Sequence, residues 1–557
     1  MNAVNERVDE LVARFSAPDA CLAELLCDTH DPDSVAFSLI HEDFSRDTLT
    51  FGELRERSER VAAGLVELGV SSGDSVATLM GKSADYLATL VGIWRLGAAH
   101  VPLFTAFAPP AIAMRLDGSA AKVVVTDTSQ RGKLHAVTDT TTGATTGTTT
   151  GTPWSVVHLR SHAGADLAAG DVDFADLAAP GRSAPGAIAV GGRGPMVRMY
   201  TSGTTGRPKG VSIPVAAMAT WQLYCEFGLD VASDDVFWCA ADPGWAYGLF
   251  AGVMAPLAAG RASMLHEDKF TPDATWRILS EQAVTNFAAA PTVYRSLRVA
   301  TPTSVVLRKL SSAGEPLTPE VNEWSREQLD LEVHDHFGQT ELGMVFCNHH
   351  HPALQQLIRP GSMGVPLPGW RTAILRNDAD EVASSGELGR VAVDMAASTT
   401  AWFDGYVDAP DATAEKFTAD GRWYLTGDSG RVDDDGHYFF MARDDDVIIM
   451  AGYRIGPFDV ESAMATHPAV QECAVIAVPD AMKGEVIEAF VALKEPVDDA
   501  DALIAELQQR VRDNLAAYAY PRSVHIVDSL PKTPSGKIQR FVLRQQRHAE
   551  ITNASDG

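Results

Sequence analysis

From Thr50 the chain sets helix-periodic stretches against short apolar runs, and that alternation leaves very few architectures open. "TFGELRERSERVAAGLVELGV" places Leu54, Val61, Leu65 and Leu68 near a 3.6-residue period, with Thr50 and Glu53 spaced as a capping box. A helix begins there. "DSVATLM" then has the make-up of a buried strand, "ADYLATLVGIWRLG" is helical, and "AHVPL" and "AKVVVTD" are further strands. Strands joined through helices pair in parallel and need cover on both faces, so the expected fold class is α/β, built on helix-covered, mainly parallel sheets. The alternation runs to about residue 345. "GSMGVPLPGWRTAIL" and "GELGRVAVDM" follow with Gly and Pro punctuation and predict a small β-barrel-like part. After "ARDDDVIIMAGYRIG" the order becomes helix, strand, strand, helix, strand, which predicts a small α+β domain over 444–557 behind a large domain over 1–443.

With 557 residues the chain exceeds what one core holds, in keeping with two domains. Lys and Arg number 45 against 73 acids, a formal charge of −28, so long-range attraction to nucleic acid or anionic lipid is not expected. Any phosphate it binds must be held by local donors. Six cysteines lie scattered without C-x-x-C spacing, which argues against a disulfide framework and fits a reducing cytoplasm. "MNAVNERVDELVARF" lacks the apolar core of a secretory signal, and no run of about 18 apolar residues predicts a membrane span. Between Thr138 and Thr152, ten of fifteen residues are threonine, too polar for a core, so a surface insertion is expected.

"MVRMY" is a strand candidate that runs into "TSGTTGRPKG", residues 201–210. Thr201, Ser202, Thr204 and Thr205 offer hydroxyls, Gly203 and Gly206 offer accessible backbone N–H groups, and Lys209 adds compact positive charge, a set suited to a polyphosphate. A nucleotide P-loop needs Gly before its lysine and Ser or Thr after it. Here Pro208 and Gly210 stand in those places, and a flexible Gly/Thr turn would not require the lysine.

At this loop the sequence resembles the adenylate-forming (AMP-binding) superfamily, which includes acyl-CoA synthetases, peptide-synthetase adenylation domains and beetle luciferases. Further stretches resemble that family's motifs in order. "AGEP" implies adenine contacts at Gly314, Glu315 and Pro316, and "DHFGQTE" implies nucleotide contacts at Asp335, His336, Phe337, Gly338, Gln339 and Thr340, with Glu341 on Mg2+. "YLTGDSG" supplies Asp428 for the ribose, "ARDDDVI" supplies Arg443 with Asp445 as hinge, and "AGYRIG" supplies Arg454. "PKTPSGKIQR" supplies Lys537, the lysine of the adenylation step, which would act with Lys209, Thr340 and Glu341. Alone, each has a plainer reading: Lys537 as an exposed turn lysine, Thr340 or Glu341 as a helix cap, Asp428 in a turn, the arginines in surface ion pairs.

The resemblance is nearest to short- and medium-chain, acetyl-CoA synthetase-like members. It implies ATP-dependent acyl-CoA synthesis through an acyl-adenylate, with rotation of the small domain between the two steps. CoA would meet Arg131, Ala451, Gly452 and Arg512, and a second Mg2+ would sit at Ala465, His467 and Val470. Acetate-selective members carry tryptophan where this chain has Gly338, so a deeper acyl pocket is expected beside Trp245, Ala246 and Tyr247, for a short, medium or branched acid larger than acetate. Loading of a carrier-protein thiol and a non-catalytic nucleotide-binding regulator stand as alternatives. Lys537 is also an expected target of a lysine acetyltransferase and deacetylase, since acetylation removes its charge. "FCNHHHP" is expected to be a loop and not a metal site, because three consecutive histidines do not converge on one ion.

Overall fold

The computed structural model describes residues 2–141, 154–160, 167–182, 185–201, 208–443, 446–450, 453–480, 484–516, 518–533 and 537–555. The first expected helix is Phe51–Glu67, and its capping box is closed: Thr50 Oγ1 accepts from the Glu53 N–H at 3.2 Å, while Glu53 Oε2 accepts from the Thr50 N–H at 3.0 Å. Such a cap stabilises a helix start by about 1 kcal/mol. Helix Ala84–Arg95 packs against it and is buried from Tyr86 to Arg95, as a helix sandwiched between sheet and neighbours must be.

Among the described residues three sheets form. The first runs in the order Val172–Asp173, Ser155–Leu159, Ala121–Asp127, Ser75–Leu79, Ala99–Pro102, Pro195–Thr201, Lys209–Pro214, with parallel pairing until the last strand, which is antiparallel. Residues 201–210 therefore join two antiparallel neighbours, Thr201 facing Lys209 in register. The second sheet is parallel from Val35–Ile40 through Ser263–His266, Phe237–Cys239, Asn286–Ala289 and Lys309–Ala313 to Val333–Gln339. It then turns antiparallel through Gly343–Cys347 and Ser362–Pro366 into Tyr438–Arg443, Trp423–Val432, Gly389–Asp394 and Thr372–Leu375. The part expected to be barrel-like is thus continuous, edge to edge, with this sheet. "TELG", weighed as a helix start, is instead the tight turn of the hairpin between Val333–Gln339 and Gly343–Cys347.

The third sheet belongs to the small C-terminal α+β domain. Strands Val470–Asp480 and Gly484–Leu493 pair antiparallel, Ser523–Val527 adds in parallel, and helices Pro457–Ala465 and Ala500–Asn514 contribute to its own core around Val460, Val475, Ile487, Leu507 and Val511. Helix Arg540–Ser555 closes it. Most of the Thr/Gly stretch, 142–152, lies outside the described residues, as do 202–207 of the expected phosphate loop, the hinge candidate Asp445, and Ala451 with Gly452. Arg454 lies on strand Tyr453–Ile455, but its side chain is outside the description.

Candidate active site

Parallel strands deliver their carboxyl ends to one edge, and register decides which residues meet there. Lys309–Ala313 pairs with Val333–Gln339 so that Ser312 faces Asp335 and Ala313 faces His336, which sets "AGEP" beside "DHFGQTE". Gly314 has φ +107°, a backbone that strongly favours glycine. A Cβ there would lie 4.0 Å from the Lys537 Cε, so the small domain's lysine reaches the large domain's strand end.

Glu315 does not point freely into that space. Its Oε1 accepts from the Thr292 N–H at 2.9 Å and from Arg295 Nη2 at 2.6 Å, and it also meets the Thr292 hydroxyl. Burial acts to raise the Glu315 carboxyl, but Arg295, Thr292 and Lys537 together hold it below the usual carboxylate range. Asp335 behaves oppositely. Burial pushes it well above that range, neighbouring Glu315 adds to the shift, and Oδ1 is buried with no partner among the described residues.

The Gln339–Leu342 turn and the antiparallel strands behind it gather a polar cluster. Gln339 Nε2 donates to Asp428 Oδ2 at 2.8 Å and to the Thr426 carbonyl at 2.9 Å, and Gln339 Oε1 accepts from the Tyr424 hydroxyl at 3.1 Å. Arg443, in register opposite Asp428, donates to its Oδ1 at 3.2 Å. Asp428 is 2 % exposed, yet it has cationic and amide donors on both oxygens, so its carboxylate is held in place.

Glu341, also buried, accepts from the Tyr406 hydroxyl at 2.7 Å, and Lys209 Nζ lies 5.0 Å above the Tyr406 ring. Tyr406 is fixed in turn, because Val407 N–H donates to the Gly210 carbonyl at 2.8 Å and Tyr406 bridges Val211. The end of the expected phosphate loop is thereby tied to the expected metal carboxylate through one tyrosine. Tyr406 was given no role from the sequence, although it stands in "GYVDAPDATAEKF", a stretch that itself resembles the short- and medium-chain members. It also passed over Lys416, whose Nζ donates to the Thr426 carbonyl at 3.1 Å and sits 5.6 Å from the Tyr424 ring. Burial lowers the Lys416 ammonium, with Arg443 and Lys209 adding to this and Glu341 and Asp428 opposing. Neither spacing nor periodicity marks a half-buried lysine in "AEKF"; only the fold brings it to Glu341 and Asp428.

Lys537 is exposed, but its side chain runs in the cleft beside Gly314. The surrounding protein lowers its ammonium from the ordinary lysine value, Glu315 opposes this, and Arg443 adds to it. Its main chain is pinned to Thr533: Lys537 N–H donates to Thr533 Oγ1 at 3.0 Å and Thr533 N–H to the Lys537 carbonyl at 2.7 Å.

The acyl-side residues divide. Trp245 packs with Phe104 and Phe107 at ring separations of 5.3 and 5.4 Å, beside Ala246 at the first turn of helix Ala246–Leu249. Tyr247 on that turn meets the Tyr224 hydroxyl at 2.9 Å. At Gly338 a Cβ would come within 2.4 Å of the Gly343 carbonyl oxygen and 2.7 Å of Met344 Sδ. A side chain at this position would therefore press on the Gly343 backbone, whereas Met344, a flexible thioether, could move aside. His336 turns away from the strand end into the core, and Phe337 packs on Phe346.

Of the outlying positions, Arg131 forms a two-pronged pair with Asp171 at 2.6 and 2.8 Å, a partner that a CoA phosphate would have to displace. The Arg512 guanidinium lies 3.7 Å from the Tyr520 ring centre, and that of Arg522 3.8 Å from it. The His467 carbonyl accepts from the Val470 N–H at 3.0 Å, and its ring meets Glu506 at 3.1 Å; Ala465 ends the preceding helix. Among the described residues no cluster of three His, Cys, Asp or Glu side chains is placed to hold a metal, His349–His351 included.

The sequence and the fold have counterparts in known proteins. Residues 28–406 match the model of the AMP-binding enzyme family, and residues 459–537 match the AMP-binding enzyme C-terminal domain. The chain belongs to the AMP-binding enzyme family. It is 34% identical to the acetyl-coenzyme A synthetase of Bacillus subtilis (strain 168) over 521 residues, 91% of this chain and 86% of that protein. Its fold matches a Brucella canis acyl-CoA synthetase at TM-score 0.75 with 39% identity, covering 98% of each chain. It matches the anthranilate CoA ligase AuaEII in complex with anthranoyl-AMP at TM-score 0.84 with 27% identity, over 96% of this chain and 98% of the other. Among the described residues no helix is long and apolar enough to cross a membrane.

Proposed function

We propose that the protein couples a short, medium, branched or aromatic acid larger than acetate to CoA, with a division of labour set by the cluster above. The chain is an ATP-dependent acyl-CoA synthetase, an AMP-forming acid–thiol ligase working through an acyl-adenylate. The observation that carries the residue assignment is convergence: Lys209, Lys416 and Arg443 from the large domain and Lys537 from the small one share the field of Glu341, Asp428 and Glu315.

In the first step a carboxylate attacks the α-phosphorus of ATP and pyrophosphate leaves. Lys537 would hold the carboxylate and an α-phosphate oxygen together, a positioning and charge-offsetting role. Lys209 and the hydroxyls of residues 201–205 would hold the departing phosphates, with Lys416 as an added cation. Asp428 would accept from both ribose hydroxyls, and Asp335 with the backbone of 314–316 would meet the adenine. Mg2+ would be held by Glu341 and the nucleotide's own phosphate oxygens; a single protein carboxylate suits a hard ion that keeps several waters, and the ion would offset phosphate charge. Tyr406 keeps Glu341 oriented for that task. Tyr406→Phe is expected to lower acid-dependent pyrophosphate release about tenfold at limiting Mg2+ and less at saturating Mg2+, read from a Mg2+ titration; equal loss at both would contradict the positioning role. Lys416→Met is expected to raise the KM for ATP about tenfold with a smaller change in kcat, measured by initial rates; an unchanged KM would remove Lys416 from the phosphate site.

Between steps the small domain would turn about Asp445, with the domain boundary at 443/444. Support comes from opposite anchors on either side: Arg443 is tied to Asp428 of the large domain, and Asp446 accepts from Arg544 of the last helix at 2.6 Å. Rotation would then bring Ala451, Gly452 and Arg454 to line the thiol route, with Arg131 and Arg512 as cations for CoA phosphates. Ala465, His467 and Val470 would offer main-chain oxygens to a second Mg2+. Exposure of Lys537 would also admit a lysine acetyltransferase and deacetylase, and the site of action would be the cytoplasm. Free CoA is preferred over a carrier-protein thiol because those arginines would meet phosphates that a carrier lacks. A panel of acids from acetate to octanoate plus benzoate, scored for acid-dependent pyrophosphate release and then CoA-dependent AMP release, tests the reading; no release with any acid would leave only a nucleotide-binding regulator.

A further inference from the structure

A row of hydrogen bonds runs inward from the acyl side. The Tyr247 hydroxyl meets the Tyr224 hydroxyl at 2.9 Å, Tyr224 meets His336 Nδ1 at 2.7 Å, and His336 Nε2 meets the Asn348 carbonyl at 3.2 Å. Tyr224 is 0 % and His336 2 % exposed, whereas Tyr247 keeps part of its surface accessible. Each bond has only one consistent direction. Burial and the neighbouring His334 keep His336 neutral, so it carries one N–H. A backbone carbonyl only accepts, so that proton is on Nε2 and Nδ1 is an acceptor. Tyr224 must then spend its single proton on Nδ1, which leaves its oxygen to accept from Tyr247. The Tyr247 proton is consumed inward, and its oxygen shows only lone pairs to whatever lies on its other side.

Resting on the proposed acyl-side placement of Tyr247, we infer that this relay makes the enzyme selective for acids whose side chain carries a hydrogen-bond donor, a hydroxyl or amino group, over apolar or acceptor-only isosteres. An acceptor-only group would face lone pairs with no proton to share, and an apolar group would cover those lone pairs without supplying a donor. A free tyrosine would turn its proton either way and make no such distinction; Tyr224 and His336 remove that freedom. A site built around one polar partner discriminates against an analogue lacking it more strongly than an apolar pocket rejects an extra methylene.

The test compares kcat/KM, by acid-dependent pyrophosphate release, for matched acids: the 2-, 3- and 4-hydroxybenzoates and aminobenzoates against the corresponding methyl- and methoxybenzoates, and 3-hydroxybutanoate against 3-methylbutanoate. At least one donor-bearing acid is expected to exceed both its methyl and its methoxy counterpart by about tenfold or more. Tyr247→Phe should bring that ratio near one. Tyr224→Phe keeps Tyr247 but removes its acceptor, freeing the Tyr247 proton, so the donor-over-methoxy ratio should collapse with the fold intact by circular dichroism. Turnover with ratios near one throughout, or a donor preference that survives Tyr247→Phe, would overturn the inference while leaving the ligase standing. No pyrophosphate with any acid would overturn the ligase reading and the inference together.

Discussion

Lys537→Gln is expected to lower acid-dependent pyrophosphate release by about a thousandfold, while transfer of a preformed acyl-adenylate to CoA changes by less than about threefold. The first number follows from charge. Two unit charges 4 Å apart interact by about 4 kcal/mol at an effective dielectric of 20, and each 1.36 kcal/mol is a factor of ten in rate. A glutamine is one atom shorter and keeps some hydrogen bonding but loses the charge, as acetylation would. Lys537 reaches Gly314 at the strand end, held there by Thr533, so in the proposed first step its amine would act only while the small domain is docked as seen. Because the ammonium is lowered from the ordinary lysine value, the first step should also fail at a lower pH on the alkaline side than a free lysine would allow. A variant that keeps full pyrophosphate release, or loses both steps equally, would reject the assignment.

Acid should unfold this protein through its histidines. His334 and His349 are 7 % and 3 % exposed, and burial drives each down to about 4. His336 and His350 are also lowered, and the His334 and His350 rings stack at 3.5 Å. Below the unfolded value of 6.5 the denatured chain takes up protons that the folded chain refuses, so stability present above pH 6.5 is lost as pH falls toward 4. At 1.36 kcal/mol per unit, each of His334 and His349 costs up to about 3 kcal/mol across that window. Urea midpoints measured from pH 7.5 to 4.5 should fall steeply over pH 6.5 to 4.5, and His349→Gln should flatten that slope by about one proton. A midpoint independent of pH in that range, or an unchanged slope in His349→Gln, would contradict it.

The elements that lean on local rules were legible from the chain alone. Thr50 with Glu53, the apolar period of Phe51–Glu67 and the strand runs at 75–79 and 121–127 each depend on neighbours a few residues away, and they stand where expected. Motif residues such as Asp428 and Arg443 were found because their letters are distinctive, and strand register then sets them opposite each other. Tyr406 and Lys416 were not legible. Tyr406 matters through Glu341 and Lys209 and Lys416 through the field of Glu341, all far away in the chain and outside any short window of sequence. What surrounds Gly338 was not legible either: the Gly343 carbonyl and Met344 Sδ stand within 2.4 and 2.7 Å of where a Cβ would lie, and only the hairpin brings them there. The same limit hid the fixed polarity of Tyr247, which depends on Tyr224, 23 residues before it, and on His336, 112 residues beyond Tyr224.

Cations from both domains should meet at one phosphorus, and the acyl-adenylate should form before any thiol enters. Exchange of labelled pyrophosphate into ATP measures that step by itself. With a competent acid present and CoA absent, the wild-type protein should support exchange, and it should fall to background when the acid is omitted. Exchange that requires CoA, or release of ADP and inorganic phosphate in place of AMP and pyrophosphate, would contradict the account.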